Sequence, residues 1–262
     1  MKNKFDEIKQ FWVDSGKSEI DKDGLKPTAR DPWMQKINEY HCTRYLDSHD
    51  EVLDVGCGEG SSSLEFIKNS KSLIGVDYSE TLIKQANKKK SKGLSFLEGD
   101  VLNLDKTFNS KKFDKVISIR CLINLPEKKL QYKALDNMFK VLKPGGILLF
   151  SEGYQLGWDQ LNIQREKNNL SNIKVVDYNL LFENIELERH LRKHGEIIDF
   201  IGFGDYLYGS RIIHPLLTDG KIKHDSKINK EFANAHINSK IWGKFNEYSY
   251  AGIFVVKKRN DE

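Results

Sequence analysis

The sequence is poor in the residues that would staple, anchor or break a chain. Its 262 residues hold three cysteines, five prolines and no apolar run near the ~18 residues that a membrane-spanning helix requires. Cys42, Cys57 and Cys121 are odd in number and lack Cys-x-x-Cys spacing, which argues against a disulfide framework and against a zinc ribbon. The opening Met1-Lys2-Asn3-Lys4-Phe5-Asp6 has no apolar signal segment. A cytoplasmic protein with no membrane partner is therefore expected. Charge of one sign is scarce too. Lys plus Arg number 42 against 38 Asp plus Glu, a formal +4, so composition implies no nucleic-acid partner.

What is present suits a chain with a full core: 39% hydrophobic and 31% charged residues. From about residue 50 to 152, short apolar runs alternate with helical patterns, the signal for βα units on a parallel sheet. The runs are Glu51 to Val55, Ser72 to Val76, Leu94 to Leu97, Lys115 to Ile119 and Ile147 to Ser151. Helical spacing marks Ser62 to Asn69, Ser79 to Lys92 and Glu127 to Leu142, the last closed by Lys143-Pro144-Gly145-Gly146. Leu180 to His194 reads as another helix, and Glu196 to Phe203 and Ala251 to Lys257 read as strands. Between those strands lie about 45 residues, too many for a simple hairpin. The expected organisation is one α/β domain over 1–262. A doubly wound sheet core spans 48–203 and 251–258, with an N-terminal helical cap at 1–47 and a substrate-facing insertion at 204–250.

The sharpest local feature is Glu51-Val52-Leu53-Asp54-Val55-Gly56-Cys57-Gly58-Glu59-Gly60, a strand that runs straight into Gly-x-Gly-x-Gly. Glycines there permit a tight turn and let a ligand approach the backbone. The next strand ends at Asp77, placed to accept hydrogen bonds from both hydroxyls of a ribose, and the third ends at Gly99-Asp100, near where an adenine amine would sit. Acids at the carboxyl ends of three successive strands point to an adenosine-containing cofactor. A nicotinamide oxidoreductase shares this logic. Two details oppose it: position 61 is Ser where the dinucleotide loop, Gly-x-Gly-x-x-Gly, has its last glycine, and Asp54 precedes the loop.

Four blocks in order resemble the class I S-adenosylmethionine-dependent methyltransferases: Val52 to Gly60, Gly75-Val76-Asp77-Tyr78-Ser79, Phe96-Leu97-Glu98-Gly99-Asp100 and Val141 to Leu149. The resemblance implies a Rossmann-like, seven-stranded, mostly parallel sheet with an antiparallel last strand, and S-adenosylmethionine as cofactor. By it, Asp54, Gly56, Cys57, Gly58 and Gly60 would line the methionine part of the cofactor. Asp77 would hold the ribose, Tyr78 would lie beside the adenine, and Asp100 and Val101 would meet the adenine edge. Ser118, Ile119 and Arg120 would pass beneath the methionine, and Arg30 in the cap is the candidate for its carboxylate.

The subclass is narrowed by what does not follow the fourth strand. Ser118-Ile119-Arg120-Cys121-Leu122-Ile123-Asn124 is no Asn-Pro-Pro-Tyr motif, no cysteine follows a proline, and Arg120 stands where catechol-type enzymes place metal-binding carboxylates. No metal is expected. A small-molecule acceptor follows, with O-methylation the first reading and N-methylation of a metabolite, or methylation of a protein or RNA, as alternatives. Tyr206, Tyr208 and Arg211, followed by Lys221, Lys223, His224 and Lys227, suggest an anionic acceptor such as a nucleotide-linked sugar or a phosphoryl or phosphoramidate compound. Residues Arg120 to Pro126 and Ser210 to Leu217 are weakly similar to methyltransferases of bacterial capsule and surface-polysaccharide biosynthesis. His214 is the first candidate for a base, followed by His41, Glu152 and Tyr154.

Overall fold

The computed structural model describes residues 4–15, 17, 30–89, 91–239 and 245–260. The cap loop from Asp21 to Pro27 lies outside them. Seven strands, β1 Glu51–Val55, β2 Ser72–Asp77, β3 Leu94–Glu98, β4 Phe113–Ile119, β5 Leu142–Gly153, β6 Gly195–Gly202 and β7 Ala251–Lys258, form one sheet. Their spatial order is β3-β2-β1-β4-β5-β7-β6. The first five pair in parallel, while β7 runs antiparallel to both β5 and β6. This is the doubly wound sheet that the strand and helix pattern predicts, with the antiparallel last strand that the resemblance implies.

The helices are α1 Lys4–Ser15, α2 Pro32–Thr43, α3 Ser61–Phe66, α4 Glu80–Ala86, α5 Leu104–Phe108, α6 Lys128–Val141, α7 Gln155–Lys167, α8 Asn184–His194, α9 Gly204–Tyr208, α10 His214–Leu216 and α11 Lys227–Asn238. None is long and apolar enough to cross a membrane. Strand periodicity sorts the core into two layers. Leu53, Val55, Val116, Leu148 and Phe150 pack with α5, α6 and α8, whereas Val52, Leu73, Ile117, Leu149 and Ile253 pack with α2, α3, α9 and α11.

Two departures from the expected elements matter. The helix predicted from Ser79 to Lys92 stops at Ala86, and Gly93 at φ +80° turns the chain into β3. In the long segment before β7, α9, a π-helical turn at Gly209–Ile213 and α10 run on from one another, and α11 then packs against α2 and α9. Parallel register brings Val55, Val76 and Ser118 level, so the loops after β1, β2 and β4 open on one edge of the sheet.

Candidate active site

A cavity of about 400 Å³ opens at that edge. Its first wall is the glycine loop. Gly56 and Gly60 sit at φ +75° and +78°, where a side chain is strained. A Cβ on Gly56 would also come within 2.6 Å of Cys121, and one on Gly60 within 2.5 Å of Phe96. The loop is tied to β2 by Gly56 and Cys57 amides donating to the Val76 carbonyl, at 2.8 and 3.1 Å. Asp54 is buried and accepts the Ser63 hydroxyl at 2.5 Å; burial pushes its carboxyl up to about 7 against that bond. Asp77 is recessed yet partly open to the cavity. It accepts the Ser79 amide at 2.9 Å and the Gly58 amide at 3.0 Å, and burial raises it to about 6. Glu152 takes the amides of Cys121, Leu122 and Ile123 at 2.9, 2.7 and 3.1 Å, and burial lifts it to about 8 against them.

The opposite wall is built on Asp31, which caps α2 through the Met34 amide at 3.0 Å. The same carboxylate accepts the Tyr206 hydroxyl at 2.7 Å, pairs with the Arg211 guanidinium, and lies 3.6 Å from His224 Nδ1. Burial alone would raise Asp31, but Arg211 and His224 hold it well below the usual carboxylate range. Arg211 Nε reaches the Tyr250 hydroxyl at 3.2 Å, and Tyr250 meets Trp158 edge-on at 4.7 Å. His224, Tyr250 and Trp158 line the cavity with Ile173, Lys174, Val176, Asn179 and Leu181 from the segment between α7 and α8. Over the opening, Tyr178 of that segment stacks on Phe11 of α1 at 4.6 Å and meets Trp12 edge-on at 6.0 Å. Lys9 of the same helix lies 5.5 Å above the Tyr78 ring.

A methyltransferase-domain family model matches residues 46–248. The chain belongs to the class I S-adenosylmethionine-dependent methyltransferases. It is 33% identical over 115 residues to a probable methyltransferase, ltbC, of Aspergillus luteorubrus, covering 40% of each chain. It is 32% identical over 108 residues to a sterol 24-C-methyltransferase of Debaryomyces hansenii, covering 39% of this chain and 27% of that one. These matches thus span well under half the length of either relative. The structure of the N-methyltransferase NodS from Bradyrhizobium japonicum with S-adenosyl-l-homocysteine superposes over 100% of both chains, with a TM-score of 0.53 and 14% identity, a likeness of fold.

The residues of this methyltransferase fit the cofactor of its family. Asp77 keeps acceptor capacity beyond its two amide bonds, as a ribose diol needs. Tyr78 Oη, Asn38 Oδ1 and Asn124 Oδ1 are buried, have no hydrogen-bond partner among the described residues and belong to residues lining the cavity. A polar ligand would satisfy them.

The cavity brings together Arg30, Asp54, Gly56, Cys57, Gly58, Asp77, Tyr78, Val101, Ile119, Arg120, Glu152 and Arg211 among the residues singled out from sequence. Others take different places. Asp100 caps the turn after β3 through the Leu102 amide at 2.9 Å and lies 3.5 Å from Lys9, while its neighbours Gly99 and Val101 line the cavity. Gly60 is the N-cap of α3, behind the loop. His214 is buried with Nδ1 3.5 Å from the Ser226 hydroxyl, and His41 meets His236 at 2.9 Å; neither reaches the cavity wall. Tyr154 is buried and donates to the Gly252 carbonyl at 3.0 Å. Tyr206 is taken up by Asp31, and Tyr208 stacks on Phe245 at 5.4 Å. The basic series from Arg211 divides: Arg211 is committed to Asp31, His224 lines the cavity, and Lys221, Lys223 and Lys227 are not in the wall. Sequence reasoning missed Asp31, Trp158, Tyr250 and the 173–181 segment. An Asp-Pro pair such as Asp31-Pro32 is an N-cap signal, but it marks only a helix start.

Proposed function

We propose that this protein transfers a methyl group from S-adenosylmethionine to a hydroxyl of a small acceptor, with His224 as the general base. The observation that carries this reading is one cavity with Asp77 and the glycine loop on one side and His224, Trp158 and Tyr250 on the other. The bound cofactor supplies the methyl as a sulfonium electrophile, so the chain's task is to align the acceptor with it and to exclude water. Burial lowers the His224 imidazole from its ordinary value against the opposing pull of Asp31, which keeps the ring neutral and able to accept a proton near pH 7. Asp31 faces Nδ1, which leaves Nε2 for the acceptor hydroxyl, and it stabilises the imidazolium that forms. Trp158, Tyr250 and Tyr178 favour an acceptor with a planar or apolar part. Lys174 is a cation in the wall at this end that suits an anionic substituent, as in a nucleotide-linked sugar or a phosphoryl compound. A cavity roofed by α1 and the 173–181 segment favours a small molecule over RNA or protein.

The test is a methyl-release screen on nucleotide sugars and phosphorylated small molecules, followed by His224→Ala with the selected acceptor. Turnover should fall by about 10²–10⁴-fold while S-adenosylhomocysteine affinity stays within about twofold. His214→Ala should leave turnover near wild type. Methyl label accumulating in RNA or protein fractions, or full turnover in His224→Ala, would overturn the reading.

A further inference from the structure

Away from the cavity, three metal-ligating side chains converge between α6 and α8. His190 and His194 stand one helical turn apart on α8, and Asp136 meets them from α6. Both Nε2 atoms lie 2.8 Å from the same oxygen, Asp136 Oδ1. The three donor atoms fall within 4.8 Å of one another, and all three residues are half-buried, so solvent reaches them. Hydrogen bonding alone would be served by one imidazole on each carboxylate oxygen. Two rings on one oxygen instead set two nitrogens and an oxygen around a common point. The rings are also braced: His194 stacks on Phe139 at 4.6 Å and 14°, and His190 lies against Tyr132 at 4.6 Å.

We propose that Asp136, His190 and His194 bind one divalent transition ion of the zinc type. Two imidazoles and a carboxylate form a borderline donor set that suits zinc, and two histidines at i and i+4 on a helix are a spacing that such ions accept. Metal–ligand bonds of about 2.0–2.2 Å put tetrahedral corners about 3.3–3.5 Å apart, so the present contacts need to open by only about half an ångström. Three ligands among the described residues leave a fourth position for water or another donor. Lys140, Lys193 and Lys258 border the same depression. Their charge weakens the site, although Lys258 is engaged by the carbonyls of Phe139 and Leu142 at 2.8 and 3.2 Å. None of the three ligands lines the cofactor cavity. The ion would therefore clamp α8 to α6, away from the cofactor cavity, and take no part in methyl transfer.

Tag-free protein stripped with chelator and titrated with Co²⁺ supplies the test. One equivalent should produce the visible d–d absorption of a tetrahedral nitrogen–oxygen site, and Zn²⁺ should displace it and raise the thermal midpoint. His190→Ala and Asp136→Asn should each weaken Zn²⁺ binding by at least about tenfold, with S-adenosylhomocysteine binding unchanged as the check on folding. Wild-type protein without that cobalt spectrum at one equivalent, or Zn²⁺ affinity equal in wild type and variants, would overturn the proposal. The wild-type spectrum decides alone if a variant does not fold.

Discussion

The cofactor end and the acceptor end of the cavity both rest on recessed carboxylates, but they hold them in opposite ways. Asp54 and Asp77 are held by a hydroxyl and backbone amides, and burial raises both toward neutrality. Asp31 is locked against Arg211 and depressed far below its ordinary value. The first arrangement leaves acceptor capacity that only a ligand uses. The second is complete without one, so it serves as framework: a single carboxylate joins α2, Tyr206, Arg211 and His224. The groups proposed to bind the cofactor are the costly, half-satisfied ones, and the satisfied ion pair is what holds His224, the proposed base, in place.

The largest expected effect breaks the framework side. Asp31→Ala leaves Arg211 buried without its counter-charge and removes the cap of α2, at a cost of about 3–5 kcal/mol in stability. Urea unfolding would measure it. The double variant Asp31→Leu, Arg211→Met should recover most of the loss, because apolar side chains tolerate that site where a lone guanidinium does not. A loss under about 1 kcal/mol in the single variant would mean that the pair contributes no framework and that the contrast between the two ends is mistaken.

The cofactor side should answer in the opposite sense. Asp77→Ala is expected to weaken S-adenosylmethionine binding by about 2 kcal/mol, roughly 30-fold, since charged hydrogen bonds to the ribose are lost. The same change should leave the cofactor-free protein as stable as the parent or more so. Calorimetry and urea unfolding separate the two. Because the folded Asp77 titrates near 6, above its value of 3.8 in the unfolded chain, the folded state binds the extra proton between those values and stability falls as pH rises through them. Asp77→Asn should therefore gain more over the parent at pH 8 than at pH 5. Depressed histidines, His41 at about 3 among them, bend the total curve the other way, so the difference between variant and parent is the quantity to follow. Asp31 has the reverse linkage, its stabilisation being lost only as pH falls below its unfolded value.

The same contrast explains what was legible in the sequence. The glycine loop, Asp77 and the turn at Arg120 lie between residues 51 and 120, where strand periodicity fixes direction and a glycine or acid at a strand tip points to one edge, while Asn38 and Asn124 reach the same side from outside that stretch. The acceptor side draws on residues 31, 158, 173–181, 211, 224 and 250, which the fold alone brings together. His214 reads as the base because it is an imidazole in the segment expected to fold over the pocket, and His224 reads only as one of a basic series, yet ten residues and the turn after α10 bury the first and put the second in the wall. Likewise Arg211 reads as a free cation until Asp31, 180 residues earlier, is seen to neutralise it. Charge in a sequence carries no record of its partner.

The smallest effect concerns the cover over both ends. Tyr178 joins the 173–181 segment to α1 through its stack on Phe11, a contact worth about 1 kcal/mol. Tyr178→Ala should therefore speed dissociation of S-adenosylhomocysteine by about fivefold and raise the acceptor KM by a similar factor, with kcat nearly unchanged. Chemistry is untouched because the stack meets neither His224 nor Asp77. If stopped-flow dissociation stayed at the wild-type rate, the cover would be passive and retention of the cofactor would belong to the Asp77 side alone. A matching drop in kcat would instead show that closure orders the acceptor wall, and the two ends of the cavity would then be coupled through α1.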